Sequence, residues 1–211
     1  MDDPKFRRQQ EDGPWAPHVK PVNALVKELT DSSGLGPVPY VAPVFGGVDA
    51  RVLCIQQAPG PMTDKRRGGS GFLSPDNRDA TAKRFATLLD GAGIPVCQIL
   101  AWNAYPWYPK GELRAAELKD GVEPLRRLVG LLPRLRVVML LGGNAKDVWR
   151  RLERRHPELV LQLEVVRTFL TSDRALIGRP EVRAERMAAL EEAFARTARI
   201  LQEPDRSHLA E

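Results

Sequence analysis

The chain has 211 residues, which is enough for one domain that buries a hydrophobic core without disulfides or metals. Hydrophobic residues make up 43% of the sequence and charged residues 28%, which excludes a wholly disordered chain. No apolar run is long enough to span a membrane, and the charged segment Met1–Glu11 has no apolar stretch typical of a secretory signal. Two cysteines and three histidines, scattered along the chain, predict neither a metal site nor a cofactor.

Cysteine use and net charge suggest a compartment and a class of partner. Cys54 and Cys97 lie in apolar runs typical of reduced core residues, so we expect a cytoplasmic protein. The net charge of +5 is compatible with binding to nucleic acid, but a charged, solvated surface explains it equally well. We expect a protein of this size to act as a monomer.

The N-terminal quarter of the sequence is irregular. Residues 1–20 are polar and rich in proline, which predicts a loosely ordered arm whose Trp15 could dock on the body. Residues 21–32 start with proline and carry apolar residues at helical spacing, which predicts a helix. Residues 33–47 are rich in glycine and proline and predict a loop.

Strand and helix patterns alternate through the rest of the chain. Short apolar runs predict strands at 51–56, 96–101, 136–141 and 164–169. Amphipathic segments predict helices at 77–91, 113–132, 144–155 and 181–201. The alternation predicts one α/β domain over residues 21–211, with a central four-stranded parallel sheet flanked by helices on both faces. Because such sheets bind ligands beyond the carboxyl ends of their strands, the loops there are the candidate site.

The loop after the first predicted strand is a stiff turn. The sequence Gln57-Ala58-Pro59-Gly60 continues into another proline, and such a turn would present the Gln57 side chain and local amides to a pocket. An ordinary strand-ending turn explains the same residues.

A basic, glycine-rich segment comes next. Lys65, Arg66 and Arg67 precede Gly-Gly-Ser-Gly and Phe72. Cations beside a flexible loop can approach an anionic backbone closely, and the Phe72 ring could stack on a planar ligand. A solvated linker with one anchoring aromatic is the alternative. Because no Gly-Lys-Ser/Thr ending is present, the segment is not a P-loop.

The loop after the second strand surrounds one asparagine with aromatic side chains. Asn103 stands among Trp102, Tyr105, Trp107 and Tyr108 in a chain that is only 6% aromatic. An asparagine amide offers a donor and an acceptor, which can match the edge of a pyrimidine. The cluster could also simply pack the loop, and both interpretations can hold together.

The remaining two strand-end loops carry weaker signals. Gly142-Gly143-Asn144 opens a helix whose free amides could receive an anion, although a plain turn with an asparagine cap is commoner. Residues 168–180 are polar and basic and include Ser172 and Arg174.

Together these loops resemble the uracil-DNA glycosylase superfamily, from the Pro43 region to the last helix. The turn after the first strand is similar to that family's first motif. Its Ala-Pro-Gly part resembles the iron–sulfur type, and its Pro-Gly-Pro part resembles the single-strand-selective type. Phe72 matches the aromatic that stacks on uracil, and Asn103 matches the asparagine that reads uracil. Residues 168–176 align with the second motif, usually built around His-Pro-Ser.

The resemblance implies a hydrolase of base excision repair. Such an enzyme flips uracil or a related deaminated base out of single- or double-stranded DNA and hydrolyses its N-glycosidic bond without a cofactor or metal. By the resemblance, Gln57 and Ala58 would place the attacking water. The base would be bound by Pro59, Gly60, Phe72 and Asn103. The DNA backbone would be held by Lys65, Arg66, Arg67, Ser172 and Arg174.

The sequence also departs from the family pattern. Gln57 replaces a glutamate of many relatives, Ala58 replaces an aspartate or asparagine, and Leu170 replaces the second-motif histidine. A carboxylate stabilises the sugar cation of glycoside cleavage, and a histidine or amide donor stabilises the departing base, so these losses predict slow turnover or none. One alternative is therefore a catalytically degenerate homologue that binds DNA or a free base. Another is an unrelated nucleotide-binding α/β protein.

Overall fold

The computed structural model describes residues 4–204 and has a four-stranded parallel sheet with helices around it. The predicted α/β class and the four parallel strands are confirmed. The strands are β1 (Tyr40–Val41), β2 (Val52–Gln56), β3 (Phe72–Leu73), β4 (Ile99–Asn103), β5 (Val137–Leu141) and β6 (Glu164–Thr168). The helices are α1 (Pro4–Asp12), α2 (Lys20–Ser32), α3 (Ala80–Gly91), α4 (Val122–Val129), α5 (Gly143–Arg155) and α6 (Pro180–Gln202).

The main sheet has the order β4-β2-β5-β6, and its centre is buried on both sides. Every residue of β4 and β5 is buried, which explains why their sequences are apolar without alternation. The edge strand β6 combines the exposed Glu164 and Arg167 with the buried Val166 and Thr168. No helix within residues 4–204 is long and apolar enough to cross a membrane.

The strand order sends the chain to opposite sides of the sheet. The chain moves from β2 outward to β4, then returns past β2 to β5. Because parallel crossovers are right-handed, this reversal puts α3 on one side and α4 and α5 on the other. The packing agrees, since α3 contacts α6 while α4 contacts α5 and α2. The loops therefore diverge at the carboxyl end of β2, where open α/β sheets bind ligands.

Two of the predicted elements begin at a later residue in the structure because of a proline. The strand predicted at 96–101 begins at Ile99, because Pro95 leads into a 3-10 turn over Val96–Gln98. The helix predicted over 113–132 is restricted to Val122–Val129, after a 3-10 turn. The ring of Pro124 would collide with the carbonyl four residues earlier in a continuous helix, so α4 cannot extend further toward the N-terminus.

The segment expected to be a loosely ordered arm is structured where it is described. Residues 4–12 form α1, and Val19 is completely buried. Trp15 is 44% exposed and packs edge-on against the Tyr40 ring, with 5.8 Å between ring centroids. The last residues of the arm are joined to α2 through the backbone, because the carbonyls of Ala16 and Val19 accept from the N–H groups of Lys20 and Asn23.

A second, two-stranded parallel sheet joins β1 to β3, with Tyr40 opposite Phe72. The sequence did not predict it, because each strand has only two residues and lies among glycines and prolines. This small sheet fixes the position of the basic, glycine-rich segment.

Asn23 connects three segments of the N-terminal region and is completely buried. Its Nδ2 donates to the carbonyls of Pro14 and Val41 at 2.7 and 3.1 Å, and its Oδ1 accepts from the Val41 N–H at 2.9 Å. We expect Asn23→Ala to lower the free energy of unfolding by about 3 kcal/mol, because it leaves buried backbone groups without partners.

Urea denaturation followed by circular dichroism measures the Asn23 effect. Ser32→Ala is the control, because the exposed Ser32 hydroxyl donates to the Glu28 carbonyl of its own helix. The control should differ from wild type by less than about 0.5 kcal/mol. Equal losses in the two variants would contradict the role assigned to Asn23.

Candidate functional site

A cavity of about 410 Å³ lies at the carboxyl ends of β2 and β4. Its walls come from the turn at 56–63, the segment at 73–85, the end of β4 and the loop at 170–174, with Phe45 and Pro109 completing them. A volume of this size is typical of a small-molecule site. The cavity lies where the sequence predicted a ligand site, beyond the carboxyl ends of the strands.

Asn103 is the polar side chain that β4 contributes to this cavity. It ends β4 opposite Gln56 and is only 3% exposed. Its Nδ2 is buried and has no hydrogen-bond partner among the described residues. An unsatisfied buried donor costs about 1–3 kcal/mol, which an acceptor on a ligand would recover. Asn103 therefore lines the cavity with a hydrogen-bond donor that the described residues do not use.

The loop that follows Asn103 is held rigidly. The Ala104 N–H donates to the Gln56 carbonyl at 2.9 Å, and the Tyr105 N–H donates to the Gln57 carbonyl at 3.1 Å. Trp107 is 2% exposed, and its Nε1 donates to the Leu29 carbonyl. The aromatic side chains thus pack the loop, and the asparagine is the member that lines the cavity.

The predicted water-placing residues and the turn after β2 also line the cavity. Gln57 is exposed, Ala58 and Pro59 are more buried, and Gly60 is exposed at the mouth. No atom outside the turn lies within 4 Å of where a Cβ on Gly60 would be, so this side of the cavity is open. None of these side chains carries a charge.

Phe72, expected to stack on the ligand, does not line the cavity. Its neighbour Leu73 does, and adjacent residues of a strand point to opposite sides. The Phe72 ring is 2% exposed, packs 6.4 Å from the Tyr40 centroid, and lies under the Lys65 ammonium at 5.8 Å. Its backbone is held as well, because the Phe72 carbonyl accepts from Asn77 Nδ2 at 2.9 Å.

The aromatic side chains that line the cavity are Phe45 and Phe85. Both are almost completely buried, and Phe85 also packs edge-on against Phe194. The sequence does not distinguish them, because Phe45 lies in a glycine-rich loop and Phe85 has the spacing of an ordinary core residue of α3. Asp79, which precedes α3 and also lines the cavity, was missed because a helix cap gives the same sequence signal.

The Gly-Gly-Ser-Gly segment is an ordered turn, not the flexible loop that was one of its two interpretations. The N–H groups of Gly69, Ser70 and Gly71 donate to carbonyls of residues 62–64. Gly68 and Gly71 have φ angles of 78° and 82°, which favour glycine. A Cβ on Gly69 would lie 2.6 Å from the Met62 carbonyl oxygen. The glycines are thus explained by backbone packing.

The three predicted DNA-binding cations of this segment have partners within the protein. Asp64 accepts from Arg66 Nε at 2.9 Å, and Arg67 Nε lies 3.8 Å from the same carboxylate. Asp64, Arg66 and Arg67 line a second cavity of about 570 Å³, together with Tyr108. Burial raises the pKa of Tyr108 to about 12, and its hydroxyl donates to the Thr63 carbonyl at 2.7 Å.

Asp64 gives this turn a pH dependence. The Arg66 guanidinium, helped by the Arg66 backbone N–H, holds the pKa of the buried Asp64 carboxyl below its usual value. A depressed pKa means that the ion pair stabilises the fold above the unfolded pKa of about 4 and stops doing so as pH falls through the folded pKa. We expect Asp64→Asn to be less stable than wild type at neutral pH, with the difference vanishing in acid.

Urea denaturation at a series of pH values from neutral to acid measures this difference. Asp31→Asn is the control, because Asp31 forms an exposed pair with Lys27 and such pairs contribute little. A difference between Asp64→Asn and wild type that stays constant with pH would contradict the assignment.

The loop after β6 brings Ser172 and Arg174, two residues of the predicted DNA-binding set, to the cavity, and Leu170 lies beside them. Ser172 Oγ accepts from the Ala175 N–H at 3.3 Å, so the serine also stabilises its own turn. The Arg174 side chain is 86% exposed and lies 3.6 Å from Glu112. Arg84 of α3 fixes the loop through an ion pair to Asp173 at 2.6 Å.

A wider groove of about 860 Å³ continues from the cavity past Gln57 and Arg174. It contains Phe169, which is 39% exposed and carries the cations of Lys146 and Arg186 at 6.0 and 5.6 Å from its ring centroid. The start of α5 also lines this groove. Its N-cap is Gly142, with a φ of 90°, and not the asparagine expected from the sequence.

The fold and site define an α/β protein with an amide- and aromatic-lined cavity at the carboxyl edge of a parallel sheet. Among residues 4–204, no cluster of three or more His, Cys, Asp or Glu side chains is arranged to hold a metal ion. No protein-family model matches the chain, and no curated protein matches it. The likeness to uracil-DNA glycosylases therefore depends on the strand-end loops themselves.

Proposed function

We propose that this protein is a monofunctional DNA glycosylase of the uracil-DNA glycosylase superfamily. It would take a flipped-out uracil or a related deaminated base into the 410 Å³ cavity and hydrolyse its N-glycosidic bond. The order of the strand-end motifs, the parallel sheet and the position of the cavity at its carboxyl edge support the proposal.

The observation that carries the proposal is the buried Nδ2 of Asn103, a residue that lines the cavity, because this donor has no partner within residues 4–204. Uracil presents an O4 acceptor beside an N3–H donor. The Asn103 Nδ2 would donate to O4, and its Oδ1 would accept from N3–H. A site built around such a pair rejects bases that lack the matching groups, because its own buried groups would stay unpaired.

Ring surfaces for the base come from Phe45 and Phe85 in this proposal, since Phe72 faces away from the cavity. Gln57 and the backbone beside Ala58 would orient the water. An amide can position water but supplies no negative charge to the sugar cation, so this pair alone predicts slow hydrolysis.

Among the predicted cations, Arg174 is best placed to hold a phosphate next to the flipped nucleotide. It borders both the cavity and the wider groove, and its side chain is 86% exposed. Lys65, Arg66 and Arg67 would add electrostatic attraction, reduced for the two arginines by Asp64. Binding to DNA should therefore weaken as salt rises.

A panel of oligonucleotides tests the proposal. Single- and double-stranded DNA carrying uracil, hypoxanthine or xanthine is incubated with enzyme in excess, and abasic product is measured over time. We expect product from at least the uracil substrate and none from matched undamaged DNA. Absence of product from all three bases in both strand forms would refute the glycosylase assignment.

A binding protein without turnover is the second candidate, and Leu170 favours it. The resemblance expects a histidine here, but leucine lines the cavity and donates no hydrogen bond to a departing base. In that case wild type would bind uracil-containing DNA without cleaving it. The double variant Gln57→Glu with Leu170→His should then gain activity. Efficient cleavage by wild type, unchanged by both substitutions, would exclude this candidate.

A further inference from the structure

We infer that Asp79 supplies the carboxylate of the reaction, in place of the acidic residue that the turn after β2 lacks. The inference rests on the proposed glycosylase function and adds a catalytic residue to it. Asp79 lies outside the two segments that resemble the family's motifs, which are the turn at Gln57 and the loop at Leu170.

Asp79 contributes the single carboxyl group among the described residues that line the 410 Å³ cavity. It shares that cavity with Gln57 and Asn103, although each of the three residues comes from a different part of the chain. Arg174 is the single cationic residue of the same lining. The cavity thus holds a negative group, a water-orienting amide and a base-binding amide together.

The backbone around Asp79 fixes its side chain. Asp79 is the N-cap of α3, where its Oδ1 accepts from the Ala82 N–H at 2.9 Å. Its own N–H donates to the Asn77 carbonyl at 2.8 Å, and Asn77 in turn holds the Phe72 carbonyl. Among the described residues, no hydrogen bond is formed to the second carboxylate oxygen, Oδ2. The cap therefore orients the carboxylate of this cavity-lining residue and leaves one of its oxygens without a hydrogen bond from the described residues.

The chemistry needs one negative group at this place. Cleavage breaks the bond between C1′ of the sugar and N1 of the base, whose electron pair leaves with the base. A water molecule forms the new C1′–O bond, and its proton passes to the carboxylate and then to solvent. The base anion takes up a proton from solvent, which balances the hydrolysis. A carboxylate that receives the water proton typically contributes about 10²–10⁴-fold in rate.

Two substitutions, made in the whole chain, distinguish the capping role of Asp79 from its catalytic role. Asp79→Asn keeps the cap, because asparagine caps helices as well as aspartate, but it removes the charge. Asp79→Ala removes both. Asp90→Asn makes the same charge change at the other, exposed end of α3 and serves as the matched control. The readouts are the single-turnover rate on uracil-containing DNA and the thermal unfolding midpoint.

We expect Asp79→Asn to cleave about 10²-fold more slowly than wild type, with an unchanged unfolding midpoint. Asp79→Ala should be as slow, with a lower midpoint, and added formate should restore part of its rate. The control should behave as wild type. Cleavage by Asp79→Asn at the wild-type rate would overturn the inference and leave the glycosylase function standing. If wild type forms no abasic product, the proposed function fails, and the inference fails with it.

Discussion

Replacing Asn103 by alanine is expected to lower the single-turnover rate of uracil release about 10³-fold. The substitution removes both the donor and the acceptor that would identify the base. A structural role does not explain the Asn103 Nδ2, because this donor has no partner among the described residues. The rate is measured with enzyme in excess on uracil-containing DNA, beside the affinity for an uncleavable analogue.

The stability of the same variant is the second part of this prediction. Because the Nδ2 of Asn103 is buried and finds no partner in the part of the chain that the structure describes, its removal also relieves a desolvation penalty of about 1–3 kcal/mol. Asn103→Ala should therefore cost less stability than Asn23→Ala, which breaks three hydrogen bonds of a satisfied buried asparagine.

The two asparagines form a matched pair. Asn23→Ala should unfold more easily but, while folded, still release uracil, whereas Asn103→Ala should stay folded and lose activity. If Asn103→Ala kept the wild-type rate, Asn103 would not bind the base, and the proposed function would lose its main support. A large loss of stability in that variant would instead make Asn103 a structural residue.

Gly121→Ala is expected to lower the free energy of unfolding by about 3 kcal/mol. A Cβ at this position would lie 1.8 Å from the carbonyl oxygen of Ala104, which directly follows Asn103. The obstacle is steric, since the φ of −79° at Gly121 suits any residue. Either α4 or the loop after β4 must move, and the second movement displaces the cavity-lining asparagine.

Gly130→Ala is the control for this substitution, because it lies at the other end of α4 in a helical conformation. The nearest heavy atom to a Cβ there is 3.5 Å away, which is ordinary contact. The control should stay within about 1 kcal/mol of wild type, on the stabilising side, since alanine restricts the unfolded chain. Urea denaturation measures the free energy of unfolding of the two variants. Similar values would contradict the prediction, because they would show that the loop after β4 moves at little cost in free energy.

The sequence determined the strand framework and the edge at which the site lies. Strands covered on both faces need apolar residues throughout, so β2, β4 and β5 stand out in the sequence. The same pattern puts Gln57 and Asn103 just beyond or at the ends of neighbouring strands, and parallel strands end at one edge. The alternation of strands with helices predicts that the strands are parallel. Because the strands are parallel, Gln57 and Asn103 lie at the same edge of the sheet and both line the cavity.

Only the tertiary structure decided which side chains face one another across the cavity. Phe72 turns away because the short pairing of β1 with β3 selects its face, and two-residue strands leave no periodic signal. Phe45, Phe85 and Asp79 join the site through packing of distant segments, although each looks like an ordinary loop, core or cap residue in the sequence. Local patterns report the burial and backbone preferences of a residue, whereas proximity between distant segments depends on how the whole chain packs.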